Sequence, residues 1–174
     1  MKAIVGIVIL SLSFCSCQSQ IKQDNVTLKD ITSALRFAMD NEVFSKVKSN
    51  YEIFSYFDYS LNDSTLYSDL LGVDTVLDKE NVYYMAEQYR QLAKKEIKSF
   101  ISPVYNNLVD DYSGNKNIIH FELSAPMFSK DKKTFVLHVL SIFNVNGKPK
   151  WDDLYFVFSK KSENWKLNGL IKRK

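Results

Sequence analysis

Thr134-Phe135-Val136-Leu137-His138-Val139-Leu140-Ser141-Ile142-Phe143 is the stretch that decides the fold. Phe, Val and Ile favour an extended chain, and apolar residues stand at odd and even positions alike. That pattern predicts a strand with apolar residues on both sides, as expected of a central position in a sheet. The flanking chain keeps a period of two. Upstream, Ile119, Phe121 and Leu123 alternate with His120 and Glu122, and Ser124-Ala125-Pro126 ends that strand. Met127 or Phe128, in the link that follows, is expected to tuck into the core, with an interaction loop as the alternative. Downstream, Asn146-Gly147 is a strong hairpin signal. It leads into Leu154, Phe156 and Phe158 alternating with Tyr155 and Val157. A polar turn over 160–164 then precedes Trp165, Leu167, Gly169 and Ile171. Four strands joined by short turns predict a C-terminal four-stranded antiparallel meander.

Before residue 118 the period is that of a helix. Thr27 followed by Asp30 has the form of an N-cap with an acidic partner, with Val26 and Ile31 spaced as a hydrophobic staple. Leu28, Ile31, Leu35, Ala38, Met39, Phe44 and Val47 then recur at helical spacing to about Lys48, where Lys46 and Lys48 suit the negative end. The same grammar recurs at Asp78, with Leu77 and Val82 as the staple and Val82, Met85, Ala86, Tyr89, Ala93, Ile97 and Phe100 along one face. Ser102-Pro103 stops this second helix. Tyr51 to Tyr59 fits either a short strand or a third helical piece, and Asn62-Asp63-Ser64 has the composition of a turn. The expectation is a single α+β domain over 27–174, with two N-terminal amphipathic helices packed on one face of the meander.

The first seventeen residues belong to a different grammar. Lys2 is basic, Ala3 to Phe14 is a short apolar run, and Cys15-Ser16-Cys17 ends it before the polar Gln18-Ser19-Gln20. This is the order of an export signal, and it falls short of the roughly 20 apolar residues that span a bilayer. Cys17, preceded by small Ser16, resembles the lipidated cysteine of the bacterial lipobox, although Phe14 and Cys15 depart from the usual residues there. The resemblance implies cleavage before Cys17, an acyl anchor on it, and the bacterial cell envelope as destination. Gln18 in place of Asp implies the outer membrane. Residues 18–26 are expected to be a flexible tether, reaching about 30 Å when fully extended. No cysteine follows position 17, so the domain beyond it relies on burial rather than disulfides.

Charge excludes one class of partner. The chain has 23 Lys and Arg against 20 Asp and Glu, a net +3, and losing Lys2 with the leader removes one unit. Such near-balance gives no field for nucleic acid. Lysines gather locally at Lys130/Lys132/Lys133, Lys160/Lys161 and Lys172-Arg173-Lys174, as solvated turns or as contacts to anionic headgroups beside the anchor.

No reactive motif is present. The sequence lacks a Gly-x-Ser-x-Gly elbow, His-Glu-x-x-His, a phosphate loop and a dinucleotide turn, and its five glycines leave little room for one. No cofactor is implied. The two histidines, His120 and His138, lie on predicted strands. With Glu122 or Asp153 on one sheet face they would make a two-His, one-carboxylate metal site geometrically possible. Asp152 and Asp153 are neighbours on a strand and point to opposite faces. Asp110 and Asp111, in a loop, lack the regularly spaced oxygens of a calcium site. Tyr51, Phe54, Tyr56, Phe57 and Tyr59 could form a sugar-stacking platform, against the alternative of packing on the helices.

Two resemblances complete the reading. The order of helices then meander over Thr27 to Ile171 loosely resembles nuclear transport factor 2-like domains, whose curved sheet and helices enclose a pocket. The strings Leu77-Asp78-Lys79-Glu80-Asn81-Val82-Tyr83-Tyr84-Met85-Ala86-Glu87-Gln88, Ser124-Ala125-Pro126-Met127-Phe128-Ser129-Lys130-Asp131 and Glu163-Asn164-Trp165-Lys166 resemble small lipoproteins of the Bacteroidetes type. The expectation is an exported, lipid-anchored, non-enzymatic protein that binds an envelope protein partner. The rival is a pocket protein with His120 or His138 as its polar group, and a third possibility is carbohydrate contact through Tyr51 and Tyr56.

Overall fold

The computed structural model describes residues 26–45, 47, 50–58, 61, 63–72, 77–101, 105 and 107–173. Cys17, the tether up to residue 25, Lys46, Lys48, Tyr59, Asn62 and Ser102-Pro103 lie outside the described residues. In chain order the elements are α1 (Leu28–Ala38), β1 (Tyr51–Phe54), α2 (Asp63–Gly72), α3 (Lys79–Leu92), β2 (Leu108–Val109), β3 (Ile119–Leu123), β4 (Met127–Phe128), β5 (Thr134–Val145), β6 (Lys148–Lys161) and β7 (Asn164–Lys172).

The four-stranded antiparallel meander is overturned by a seven-stranded mixed sheet, ordered β2-β1-β3-β5-β6-β7, with β4 paired to β5. β1 runs parallel to both β2 and β3, and the remaining pairs are antiparallel. The physical reason is length and connection. A two-residue strand has no period to read, and a parallel neighbour arrives by a long crossover rather than a turn. Asp63 and Ser64 open α2 rather than a turn, and Tyr51–Phe54 is strand.

The helices also fail to keep to one face. Phe135, Leu137 and Val139 of β5 join Phe121, Leu123, Phe156 and Phe158 in a core against Ile31, Ala34, Leu35 and Ala38 of α1. Val136, with Tyr155 and Val157, joins a second core against Leu66 and Leu70 of α2 and Val82, Met85, Ala86 and Tyr89 of α3. Neighbouring strand residues point to opposite faces, so the sheet has helices on both sides. This is why β5 is buried at both parities over Thr134–Val139.

Local chemistry sets the helix ends. The expected cap at Thr27 is a full capping box, with Asp30 N donating to Thr27 Oγ1 at 3.2 Å and Thr27 N donating to Asp30 Oδ2 at 2.8 Å. Asp78 caps α3 by accepting from Asn81 N at 2.8 Å. α1 passes into a π-helical turn, Met39–Val43, instead of continuing to Lys48. That turn delivers Phe44 onto Tyr51, with ring centroids 4.7 Å apart in a stacked pair, and both rings meet Phe121 edge-on. α3 stops at Leu92, before Ala93, Ile97 and Phe100.

The Asn146-Gly147 turn forms with φ of 53° and 76°, the left-handed pair that a tight hairpin of this hand requires. β7 departs from its reading. Val157 pairs with Gly169 while Phe158 pairs with Leu167, so Asn168 is an extra residue in a β-bulge. Trp165 and Leu167 therefore pack on the α1 side and Ile171 on the other, although the sequence spacing assigns all of them to one face.

Met127 and Phe128 are both fully buried, where one of the two was expected to tuck into the core. Gln88 of α3 holds them there. Its Nε2 donates to Phe128 O at 2.8 Å and its Oε1 accepts from Phe128 N at 2.9 Å. Replacing Gln88 by Leu leaves both buried backbone groups unmet. Urea unfolding of Gln88→Leu should show a loss of about 1–3 kcal/mol.

Candidate functional site

Strand register assembles a polar face within the second core. Phe121 and Leu123 face α1, so His120 and Glu122 face the other way. By the same parity Glu52 of β1, His138 of β5 and Asp153 of β6 share that face. Glu52 pairs with His120, which pairs with Ile142, while Glu122 pairs with Leu140, which pairs with Asp153. His138 lies on the next rung, opposite Tyr155.

His138 is the centre of this face and is only 1% exposed. Its Nδ1 stands 3.0 Å from Asp58 Oδ2 and its Nε2 stands 2.6 Å from Asp153 Oδ1. A neutral ring has one N–H and one lone pair, and the lone pair would face a carboxylate oxygen. With both carboxylates ionised, the imidazolium is the form that satisfies both contacts. Burial pushes the ring's pKa down, yet the hydrogen bonds to Asp153 and Asp58, with both negative charges, hold it above the ordinary value. The backbone fixes the positions. His138 N donates to Ser124 Oγ at 2.9 Å, and Asp58 N donates to Leu123 O at 2.7 Å.

The charges alternate outward from there. Arg173 Nη1 donates to Asp153 Oδ2 at 3.1 Å, Arg173 Nε stands 3.0 Å from Asp69 Oδ2 as an ion pair, and Tyr155 Oη donates to the same Asp69 oxygen at 2.9 Å. Burial opposes the charged form of Asp153, but His138 and Arg173 hold its pKa below the usual carboxylate value. Burial and the Asp69 bond push the Tyr155 hydroxyl up. The array therefore ties α2, β5, β6, the end of β7 and the segment after β1 by one line of opposite charges. Its outer end forms the wall of a cleft of about 390 Å³, where Thr65, Ser68 and Asp69 of α2 face Tyr155, Ile171 and Arg173.

A second cluster lies further along the same face. Glu52 Oε2 stands 3.1 Å from His120 Nδ1 but off the line of a hydrogen bond, and it accepts from Ser113 N at 3.2 Å. Tyr112 lies over the His120 ring at 4.5 Å and donates to Glu122 Oε1 at 2.9 Å. Burial raises the Glu122 pKa; the Tyr112 bond opposes the rise and the Asp58 charge adds to it.

The two histidines thus share a face without sharing a site. His120 pairs with Ile142, four residues along β5 from His138, which is about 13 Å of strand. Among the described residues no three His, Cys, Asp or Glu side chains come together to hold a metal ion. With both nitrogens donating, His138 also has no lone pair to offer one. Asp153 was legible as a histidine partner, whereas Asp58, Asp69 and Arg173 were missed. Asp58 follows the aromatic run Phe54–Phe57, and a carboxylate closing such a run was the available signal. Asp152 points away from Asp153, to Lys172.

Tyr51 is half-buried under Phe44, and Phe57 is fully buried against Phe100. Tyr56 meets Phe54 on the other side of the sheet from Tyr51, so the tyrosines do not form one flat platform. Asp110 accepts from Ser55 Oγ and Asp111 from Tyr112 N, both as exposed loop acids. No protein-family model, characterised protein or solved structure matches this chain.

Two outcomes follow from the His138 array. Removing the imidazolium leaves Asp58 buried without its counter-charge, so His138→Gln should lose about 3–5 kcal/mol in urea unfolding. In the parent protein the native pKa lies above the unfolded one. The ring's contribution is therefore full below about pH 6.5 and is lost as pH rises through the native value. Melts taken upward from about pH 6 should show this decline, and His138→Gln should flatten it.

Proposed function

We propose that this chain is an envelope lipoprotein with a non-enzymatic binding role, held at a bacterial membrane, the outer one by the residue after Cys17, through an acylated Cys17. Support for the address comes from the leader, with its basic start, short apolar run and Ser16-Cys17. Support for a binding rather than a catalytic role comes from one observation. His138 has each ring nitrogen engaged by a carboxylate, so it has neither a lone pair nor a free proton for a substrate. A fixed charge array stiffens a domain and defines its surface.

The cleft beside Asp69 and Arg173 favours a second reading, the capture of a small molecule. It opens between α2 and the end of β7, and His120 and His138 are not among its lining residues. The nuclear transport factor 2-like pocket with a histidine in its wall gains no support from this placement.

Growth of bacteria expressing the chain with a labelled fatty acid tests the anchor. The label should remain with the protein in the membrane fraction and be lost in Cys17→Ser, which should leave the membrane. Equal labelling and equal attachment of that variant would overturn the reading.

A further inference from the structure

We infer that one end of the sheet, carrying Lys160, Lys161 and Lys166, is a docking surface for anionic lipid, and that the Asn146-Gly147 hairpin tip faces away from the membrane. The inference rests on the acyl anchor at Cys17 and adds an orientation and a lipid class to it. Register brings together lysines that lie far apart in sequence. Thr134 pairs with Ser159, Ser159 pairs with Lys166, and Lys160 N donates to Lys133 O at 2.7 Å. The β4–β5 turn and the β6–β7 turn therefore form one edge of the molecule.

The described chain starts at the same edge. Lys132 reaches Asp30, in the first turn of α1, at 3.2 Å, and Val26 is four residues before Asp30. A tether from Cys17 to Val26 spans at most about 30 Å, so it keeps this edge near the bilayer. The hairpin tip is far from it. Trp151 and Lys160 lie nine positions apart on β6, about 30 Å.

On this edge counter-charges decide which lysines can meet a headgroup; Lys148 and Lys150 at the tip are exposed too, so the tether decides the orientation. Lys130 is paired with Glu80, Lys132 with Asp30, and Lys133 with Asp131 at 3.8 Å. Lys160, Lys161 and Lys166 are exposed and form no ion pair among the described residues, and Lys160 Nζ lies 5.6 Å over the Trp165 ring. Glu163, in the turn between them, offsets part of that charge. The remaining excess is positive, and an anionic leaflet attracts such lysines by about a fivefold factor each.

The full acylated chain, floated with vesicles of phosphatidylcholine with or without phosphatidylglycerol, tests this. A fluorophore is placed on Asn164→Cys at the lysine edge or on Val145→Cys at the tip, and a headgroup-labelled quencher lipid reports proximity. On phosphatidylglycerol vesicles the Asn164 position should be quenched several-fold more than the Val145 position. Replacing Lys160, Lys161 and Lys166 by Gln should remove most of that preference and bring the two positions close to equal quenching. Equal quenching of both positions on vesicles that carry the protein, or a preference indifferent to the triple substitution, overturns the orientation alone. Failure to float with phosphatidylcholine, or uptake of fluorophore at Cys17 in the unsubstituted chain, overturns the anchor and this inference with it.

Discussion

A charged imidazole sealed from water is the constraint on which the second half of the molecule depends. His138 is tolerated in the interior because Asp58 and Asp153 stand on its two nitrogens. Each carboxylate is in turn set by a different part of the chain. Asp58 hangs from the backbone of Leu123, and Asp153 is steadied by Arg173 just past the end of β7. Arg173 carries the connection to Asp69 and so to α2. A helix of low amphipathic character, with Leu66 and Leu70 fully buried, is thereby tied to the sheet through charge as well as hydrocarbon.

The other organising fact is that β5 is buried from both sides. Its alternate residues feed two separate hydrocarbon layers, one closed by α1 and the other by α2 and α3. Gln88 adds a polar clasp between α3 and the short β4, where a two-residue strand could not hold itself by ladder bonds alone. The fold thus combines long local hairpins with short strands held by remote partners.

That division marks what the sequence made legible. The β3, β5, β6 and β7 strands, the hairpin turn and both N-caps announce themselves through period, turn chemistry and capping residues within a dozen positions. β1 and β2 do not, because their pairing partners lie far away and their own length is too small to show a period. Helices on both faces were implied by β5 itself, whose two-sided apolarity demands cover on each side. The β7 bulge was hidden because one extra residue reverses parity without altering composition. In the site, the strand histidines and Asp153 stood out by residue type and parity. Asp58, Asp69 and Arg173 did not, since each sits outside the strands on which parity reasoning operates. The lysine clusters were visible as three separate runs, and only register unites two of them.

The bulge at Asn168 has one more effect. By turning Trp165 and Leu167 to one side and Ile171 to the other, it makes the edge strand a member of both hydrocarbon layers. Together with β5 and β6 it forms a party wall, and neither room can be dismantled while that wall stands. Amide protons along β5 and β6 should then exchange with solvent only when the whole domain opens, as a single cooperative unit spanning α1, α2 and α3.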